Sequence, residues 1–231
     1  PARRYECSSW EASEGYKRQS KNTGDPEMDN EVWASTLAEC QGDKRWLYGP
    51  LSLDELRARL GNDCVIARRF GIRQGGKTRN IDDYSQYMQN HAFGSCDRIE
   101  CEGVDAILVA TRVFIEALHS RGPCVIRSEN GEAAWCHLHP SWNSRSKGLQ
   151  GRLLDLRHAY KQLPVSPEHR WVSAIGVKNP SAPKMQFFEQ LTMAFGQRAA
   201  VLAFNRIARG LKQIAAVLFG LVLTHFYDDF S

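Results

Sequence analysis

The feature that most constrains this chain of 231 residues is a set of carboxylates in two apolar, strand-like segments. Asp155 lies within GRLLDLRHAY, and Asp228 and Asp229 lie near the end of LVLTHFYDDF. An ionised acid within an apolar strand is costly unless it is paired or binds a metal. Three carboxylates projecting from neighbouring strands can bind two divalent ions, and Mg²⁺ prefers such oxygen ligands. Two such ions can activate an attacking hydroxyl and stabilise a leaving pyrophosphate.

A structural role is the alternative for these acids. Asp residues are common turn formers, and Asp82-Asp83 shows that the same dipeptide recurs elsewhere in the chain. Taken alone, either Asp-Asp pair therefore favours a turn or a cap over a metal site. The neighbouring motifs shift the balance towards the metal site.

The hydrophobic pattern predicts an α+β fold, a sheet with helices packed on one face. Helices are expected at Leu51–Leu60, Val104–His119 and Ala199–Ala216, the first with Ser52 and Glu55 as a possible capping box. Within Val104–His119, five apolar residues are expected to share a buried side: Ile107, Leu108, Val113, Phe114 and Leu118.

Strands and loops follow from apolar runs and turn residues. A polar stretch at 127–150 predicts a loop or an insertion. Strands are expected at Arg152–Leu156, Trp171–Val177, Met185–Leu191 and Leu218–Tyr227.

A glycine-linked hairpin carries a group of basic residues. Val65–Arg73 and Lys77–Ile81 are strand-like and are joined across Gly75-Gly76, which predicts a tight turn. On composition alone, solvation of these charges is favoured over phosphate binding. The basic residues are Arg68, Arg69, Arg73, Lys77 and Arg79.

Charge and cysteine content give weaker guidance. The formal net charge is +4, which is compatible with a polyanionic partner. Seven scattered cysteines, an odd number without paired short spacings, indicate a reducing, intracellular compartment, either cytoplasm or nucleus.

The longest apolar run, Ile214–Thr224, is short of the roughly 18 residues that span a bilayer, so no membrane partner is expected. Residues 1–43 are expected to be a polar, poorly ordered flank.

Four motifs, in chain order, resemble those of retroelement (retrotransposon) reverse transcriptases, which are RNA-directed DNA polymerases. In the first catalytic motif, Asp155 is followed by Ala159, Tyr160 and Pro164. The whole set consists of KTRNIDDYSQYMQN at 77–90, LLDLRHAYKQLP at 153–164, MAFGQRAAVLAF at 193–204 and FYDD at 226–229.

The resemblance implies the fingers and palm of a right-hand polymerase over residues 44–231, with an antiparallel sheet and without a thumb. It implies metal-dependent nucleotidyl transfer, in which a primer on an RNA or DNA template is extended with dNTPs. Two Mg²⁺ or Mn²⁺ ions would be bound by Asp155, Asp228 and Asp229, the catalytic residues, with the backbone carbonyl of Leu156 assisting.

The resemblance also implies a nucleotide site. A planar guanidinium suits phosphate oxygens, and an aromatic ring beneath the sugar would leave no room for a 2′-hydroxyl. The incoming triphosphate would meet Arg79, assisted by Arg73 and Lys77. The sugar and base would meet Tyr160, Phe195 and Gly196. Without the motifs, core packing is an equally good interpretation of the two aromatic residues.

Two other functions stay open. One is a decayed, non-catalytic remnant that at most binds nucleic acid, suggested by Ala194 and Val201 where the family usually has Pro at or near these positions. The other is an RNA-synthesising palm polymerase, which Tyr160 disfavours. The chain alone is expected to be weak or inactive, because Asp228 and Asp229 are expected on a frayed terminus whose hairpin cannot close.

Overall fold

The computed structural model describes residues 25–42, 45–86, 89–92, 99, 101–120, 123–128, 130–137, 151–182 and 184–230. The chain divides into two compact units. The first consists of Pro1–Asp97 and His158–Phe204, and the second of Arg98–Arg157 and Asn205–Ser231.

Helices and strands are numbered in chain order. The α-helices are α1 (Pro26–Glu39), α2 (Leu53–Leu60), α3 (Gln89–Ala92), α4 (Val104–His119) and α5 (Arg198–Phe219). Short 3₁₀ helices cover Ala159–Gln162 and Pro167–Val172. The strands are β1 (Leu47–Leu51), β2 (Ile66–Gln74), β3 (Lys77–Asp83), β4 (Cys124–Arg127), β5 (Ala133–Cys136), β6 (Leu154–Asp155), β7 (Ala174–Lys178), β8 (Met185–Gln190), β9 (His225–Phe226) and β10 (Asp229–Phe230).

The first unit contains a five-stranded sheet with the order β1-β8-β7-β2-β3. The pairs β1–β8, β8–β7 and β2–β3 are antiparallel, whereas β2 and β7 are parallel, with Ala67 opposite Ile175. The α+β class is confirmed, but the expectation of a purely antiparallel sheet is wrong. Since β2 and β7 are distant in the chain, no tight turn between them imposes an antiparallel pairing.

Helices cover both faces of this sheet, so the prediction of helices on one face is also wrong. On one face, Val32 of α1 belongs to a core cluster with Ile175 and Phe188. On the other face, Leu56 of α2 clusters with Phe187 and its neighbours. Alternate residues of one strand point to opposite faces, so a central strand that is buried on both sides needs a cover on each.

Helix α1 lies in the segment that was expected to be a poorly ordered flank. Residues 1–24 lie outside the described part, but for 25–42 the expectation is wrong. The side chain of Asp25 accepts hydrogen bonds from the N–H groups of Glu27 and Met28, at 3.0 and 3.1 Å, and Pro26 occupies the first turn. Packing of Val32 against the sheet then stabilises a helix whose own apolar pattern is weak.

Local signals in the first unit are confirmed. Strands β2 and β3 pair from Arg68–Asp83 to Gln74–Lys77, and the turn residues Gly75 and Gly76 have φ of +59° and +75°. Positive φ at both central residues matches the twist of a two-residue hairpin. The capping box of α2 is present as well, because Ser52 and Glu55 each accept the other's backbone N–H, at 3.2 and 2.7 Å.

In the second unit, helix α4 has the predicted bounds but not the predicted buried side. Ile107 and Leu108 are exposed, the latter by 60%, and Ala117 is the residue of α4 that is buried. Strands β4 and β5 form a hairpin that includes part of the expected loop at 127–150, whereas residues 138–150 lie outside the described part.

The last sheet has the order β6-β10-β9. The predicted strand Leu218–Tyr227 is largely wrong, because α5 continues to Phe219 and only His225–Phe226 pairs as a strand. A short apolar run does not distinguish a buried strand from the end of a helix. Among the described residues, no helix combines the length and apolarity needed to cross a membrane.

Candidate active site

The three carboxylates predicted to bind metal lie in one short sheet of the second unit. Asp155 of β6 is the direct cross-strand partner of Asp229 of β10, and the N–H of Leu156 donates to the backbone oxygen of Asp228 at 3.1 Å. Directly opposite residues of an antiparallel pair project on the same face, with Cβ atoms about 4.5–5.5 Å apart. The pairing therefore brings together carboxylates from two distant parts of the chain.

Strands β9 and β10 form a closed hairpin, called here the carboxylate hairpin. Phe226 is opposite Asp229, and Tyr227 and Asp228 form the turn between them. Tyr227 has φ of +56°, as tight two-residue hairpins require at a central position. The expectation that this hairpin cannot close is wrong, because a two-residue turn suffices and β6 supplies β10 with a second neighbour.

The carboxylates at this hairpin repel one another. Partial burial raises the pKa of the Asp228 carboxyl, and the negative charges of Asp229 and Asp155 raise it further, against the opposing effect of a backbone hydrogen bond. Asp155 and Asp229 are exposed, and Asp228 is half-buried. Mutually repelling carboxylates are relieved by a bound positive charge. Across the described residues, no three His, Cys, Asp or Glu side chains are already grouped as a metal site.

Tyr160 lies in the first unit and is held by two aromatic rings. Its ring meets Phe195 edge-on at 4.8 Å between centroids and Phe204 at 5.1 Å. Tyr160 is only 7% exposed, whereas Phe195 is exposed. Edge-to-face contacts at these distances fix a ring orientation. One aromatic of the predicted nucleotide site is therefore held in the core, and the other is open to solvent.

Gly196 lies in the turn before α5, where only glycine fits. Its φ is +95°, and a Cβ there would lie 2.5 Å from the backbone oxygen of Asp82. Asn90 joins this turn to the helix, because its Nδ2 donates to the Gly196 oxygen at 2.8 Å and its Oδ1 accepts the N–H of Arg198 at 2.9 Å. Sequence reasoning missed Asn90 as a support, and its position at the end of the motif at 77–90 is the signal that could have found it.

Ala194 stands where the resembled family usually has proline. Its N–H donates to Oε1 of Gln197 at 3.3 Å, and Nε2 of Gln197 donates to Ser173 Oγ at 2.9 Å. Proline has no N–H and could not make the first of these bonds. Alanine in place of proline at this position therefore allows a hydrogen bond just before α5.

The predicted phosphate ligands lie on the β2–β3 hairpin. Arg73 forms ion pairs with Glu31 at 2.7 Å, Glu27 at 3.4 Å and Asp25 at 3.9 Å. The side chains of Arg79 and Lys77 are exposed on β3. The acidic start of α1 thus partly neutralises Arg73, and the two residues of β3 are the better placed to meet a polyanion.

Arg69 of the same hairpin contradicts the expectation of solvated charges. It is buried and donates to both carboxylate oxygens of Asp82, at 2.6 and 2.9 Å, and to Glu39 at 2.9 Å. Burial lowers the pKa of Arg69, but the two carboxylates outweigh this effect and the pKa lies above its ordinary value. Nε2 of Gln190 also donates to Asp82, at 3.0 Å. Arg69 therefore belongs to a buried hydrogen-bond network that joins the sheet to helix α1.

The predicted residues fall into two groups. The metal ligands all belong to the second unit, and the six residues predicted to contact the nucleotide all belong to the first. The chain matches no known protein family, and no curated protein sequence matches it.

Proposed function

We propose that this chain carries the fingers and palm of a reverse transcriptase and catalyses metal-dependent extension of a primer with dNTPs. The observation that carries the proposal is the direct pairing of Asp155 with Asp229, with Asp228 in the adjoining turn. Acids that serve only to form turns are not expected to be direct partners across two strands that are distant in the chain. Three carboxylates on neighbouring strands are a ligand set that could hold the two divalent ions used in phosphoryl transfer.

In the proposed reaction, the 3′-hydroxyl of a primer attacks the α-phosphorus of a dNTP. A bond forms between that oxygen and phosphorus, and pyrophosphate leaves. Asp155, Asp228 and Asp229 would hold two Mg²⁺ or Mn²⁺ ions, with the carbonyl of Leu156 as a further ligand. Bound there, the ions would supply charge stabilisation to the attacking and leaving oxygens.

The remaining predicted residues would bind and select the nucleotide. Arg79, with Lys77, would bind the triphosphate, and Arg73 would contribute less because its charge is shared with three acids. Tyr160 would exclude a 2′-hydroxyl, since its ring is fixed and cannot easily move aside. Phe195 and Gly196 would border the nucleotide, with glycine allowing a close backbone approach.

Binding of Mn²⁺, measured by electron paramagnetic resonance, tests the metal centre. The chain is expected to bind Mn²⁺, and Asp155→Asn is expected to weaken that binding by roughly tenfold or more, because one hard ligand and one charge are lost. Asp105→Asn is the matched control, since Asp105 is an exposed aspartate of the same unit. Equal weakening by both substitutions would show a general charge effect and refute the site.

A non-catalytic nucleic-acid-binding protein is the second candidate, favoured by the exposure of Arg79 and Lys77. This function predicts salt-sensitive binding of a template–primer duplex without any Asp155-dependent metal binding. For a polymerase, we expect both salt-sensitive binding of the duplex and Asp155-dependent metal binding. Primer extension that is unchanged by Asp155→Asn would exclude the catalytic role of this acid.

A further inference from the structure

Glu102 lies beside the carboxylate hairpin, outside every motif that carries the resemblance. Its N–H donates to the backbone oxygen of His225 at 3.0 Å, and its Oε2 accepts the N–H of His225 at 3.2 Å. Strand β9, which contains His225, is an edge of the three-stranded sheet. Glu102 thus satisfies both backbone groups that an edge strand would otherwise leave open at this residue.

Side-chain contacts extend this support. The His225 ring is only 4% exposed, and its Nε2 lies 3.2 Å from Oδ1 of Asn205 on α5. The second carboxylate oxygen of Glu102 forms an ion pair with Nζ of Lys212, also on α5. Among the described residues, Nδ1 of His225 has no hydrogen-bond partner, and Glu102 Oε2 is 3.6 Å from it. We call Glu102, His225 and Asn205, all of the second unit, the brace.

The brace acts on the strand that leads directly into the turn of Asp228. His225 is the cross-strand partner of Phe230, which is buried, and the turn lies between these two residues. A shift of β9 would therefore carry β10 with it and separate Asp229 from Asp155. Fixing β9 from its free edge fixes the distances among the three carboxylates.

We infer that Glu102 is a positioning residue that holds the carboxylate hairpin in the register that lets Asp155, Asp228 and Asp229 bind metal together. The inference rests on the proposed function. Glu102 acts through the backbone of His225 and touches no reacting group. The reach of its side chain to the His225 N–H is therefore what the role requires, and the partly exposed ion pair with Lys212 contributes less.

Two substitutions separate the effect of side-chain length from the effect of charge at Glu102. Glu102→Gln keeps the length and an oxygen acceptor but loses the charge, whereas Glu102→Asp keeps the charge but is one methylene too short. Supports of a metal site typically change affinity by about 10- to 100-fold when lost. We expect Glu102→Asp and Glu102→Ala to weaken Mn²⁺ binding by about tenfold or more, and Glu102→Gln to stay within about threefold of the unsubstituted chain because its hydrogen bond remains.

The experiment measures Mn²⁺ affinity by electron paramagnetic resonance on the full chain, with thermal unfolding measured in parallel. Glu116→Ala is the control, because Glu116 is an exposed acid of the same unit. If Glu102→Ala does not fold, the comparison of Glu102→Gln with Glu102→Asp decides alone. A general loss of stability would lower the unfolding temperature without changing affinity in the folded protein.

Each outcome has a distinct meaning. Wild-type affinity in Glu102→Asp, or equal losses in the Gln and Asp variants, would overturn the inference while Asp155-dependent Mn²⁺ binding still supported the proposed function. Mn²⁺ binding that does not depend on Asp155 would refute the proposed metal centre, and the inference with it.

Discussion

Replacing Gly196 by alanine tests the packing of the predicted nucleotide site, with a second positive-φ glycine, Gly61, as the control. Gly196 and Gly61 have φ of +95° and +92°, and both belong to the first unit. A new Cβ at Gly61 meets nothing within 4 Å, whereas at Gly196 it would lie 2.5 Å from the oxygen of Asp82. Both substitutions place a side chain at a positive φ, and only the one at Gly196 adds a steric clash.

The magnitudes follow from these two contributions. A sparsely populated positive-φ conformation costs a non-glycine residue about 1–3 kcal/mol. Overpacking adds about 1–3 kcal/mol at Gly196, since the atom it meets is strand backbone whose side chain Arg69 holds in place. We expect Gly61→Ala to lower the free energy of unfolding by about 1–3 kcal/mol. Gly196→Ala is expected to lower it by about 2–6 kcal/mol, because it adds the steric clash.

Hydrogen exchange under increasing urea measures this difference in the first unit alone. The slowest amides of β7 and β8 report the opening of its central strands, separately from the second unit. Asn90 would also lose its bonds to the turn, so Arg198 at the start of α5 should exchange faster in Gly196→Ala. Equal losses of stability in the two variants would refute the close approach of Gly196 to Asp82.

Two further predictions concern charged groups. Arg69→Ala should lower the free energy of unfolding of the first unit by about 3–5 kcal/mol, because Asp82 and Glu39 lose the guanidinium that neutralises both of them. Arg73→Ala, which removes only exposed ion pairs, should destabilise the first unit far less than Arg69→Ala. Chemical denaturation that ranks the two substitutions equally would contradict the buried network around Arg69. In the second unit, Asp155→Asn should lower the pKa of Asp228 by removing one repelling charge. Since a raised folded-state pKa favours the protonated acid, the second unit should lose stability as pH rises from the ordinary aspartate pKa to the raised pKa of Asp228, and the substitution should narrow that window. Carboxyl ¹³C NMR titration of Asp228 measures the shift, and an unchanged pKa would show that the two acids do not interact.

The parts of the fold that the sequence could predict are those whose causes are local. The β2–β3 hairpin depends on Gly75 and Gly76, and the start of α2 depends on Ser52 and Glu55, so a few neighbouring residues suffice. Helix α1 is different, because Val32 is ordered by residues far along the chain. The parallel pairing of β2 with β7 is a tertiary choice too, and no short motif encodes it.

The residues of the candidate site show the same distinction between local and long-range causes. The apolar context of Asp155 and Asp229 signals that these acids have a special role, but only the β6–β10 register makes them partners. Arg69 and Arg73 look alike in sequence, yet one is enclosed by carboxylates and the other is exposed. Long-range packing decides what surrounds a charged side chain. These surroundings determine whether the side chain supports the fold or remains available to a ligand.

Glu102 shows the consequence for the proposed chemistry. An acid in an unremarkable segment satisfies both backbone groups of His225, and the strand of His225 leads into the turn that holds Asp228. A cluster of like charges is expected to spread apart unless the backbone that carries it is restrained, because each carboxylate repels the others. The carboxylate hairpin has only two residues in each strand, so its own hydrogen bonds supply little restraint. We therefore expect the proposed metal site to depend on support from outside the hairpin as well as on the three acids.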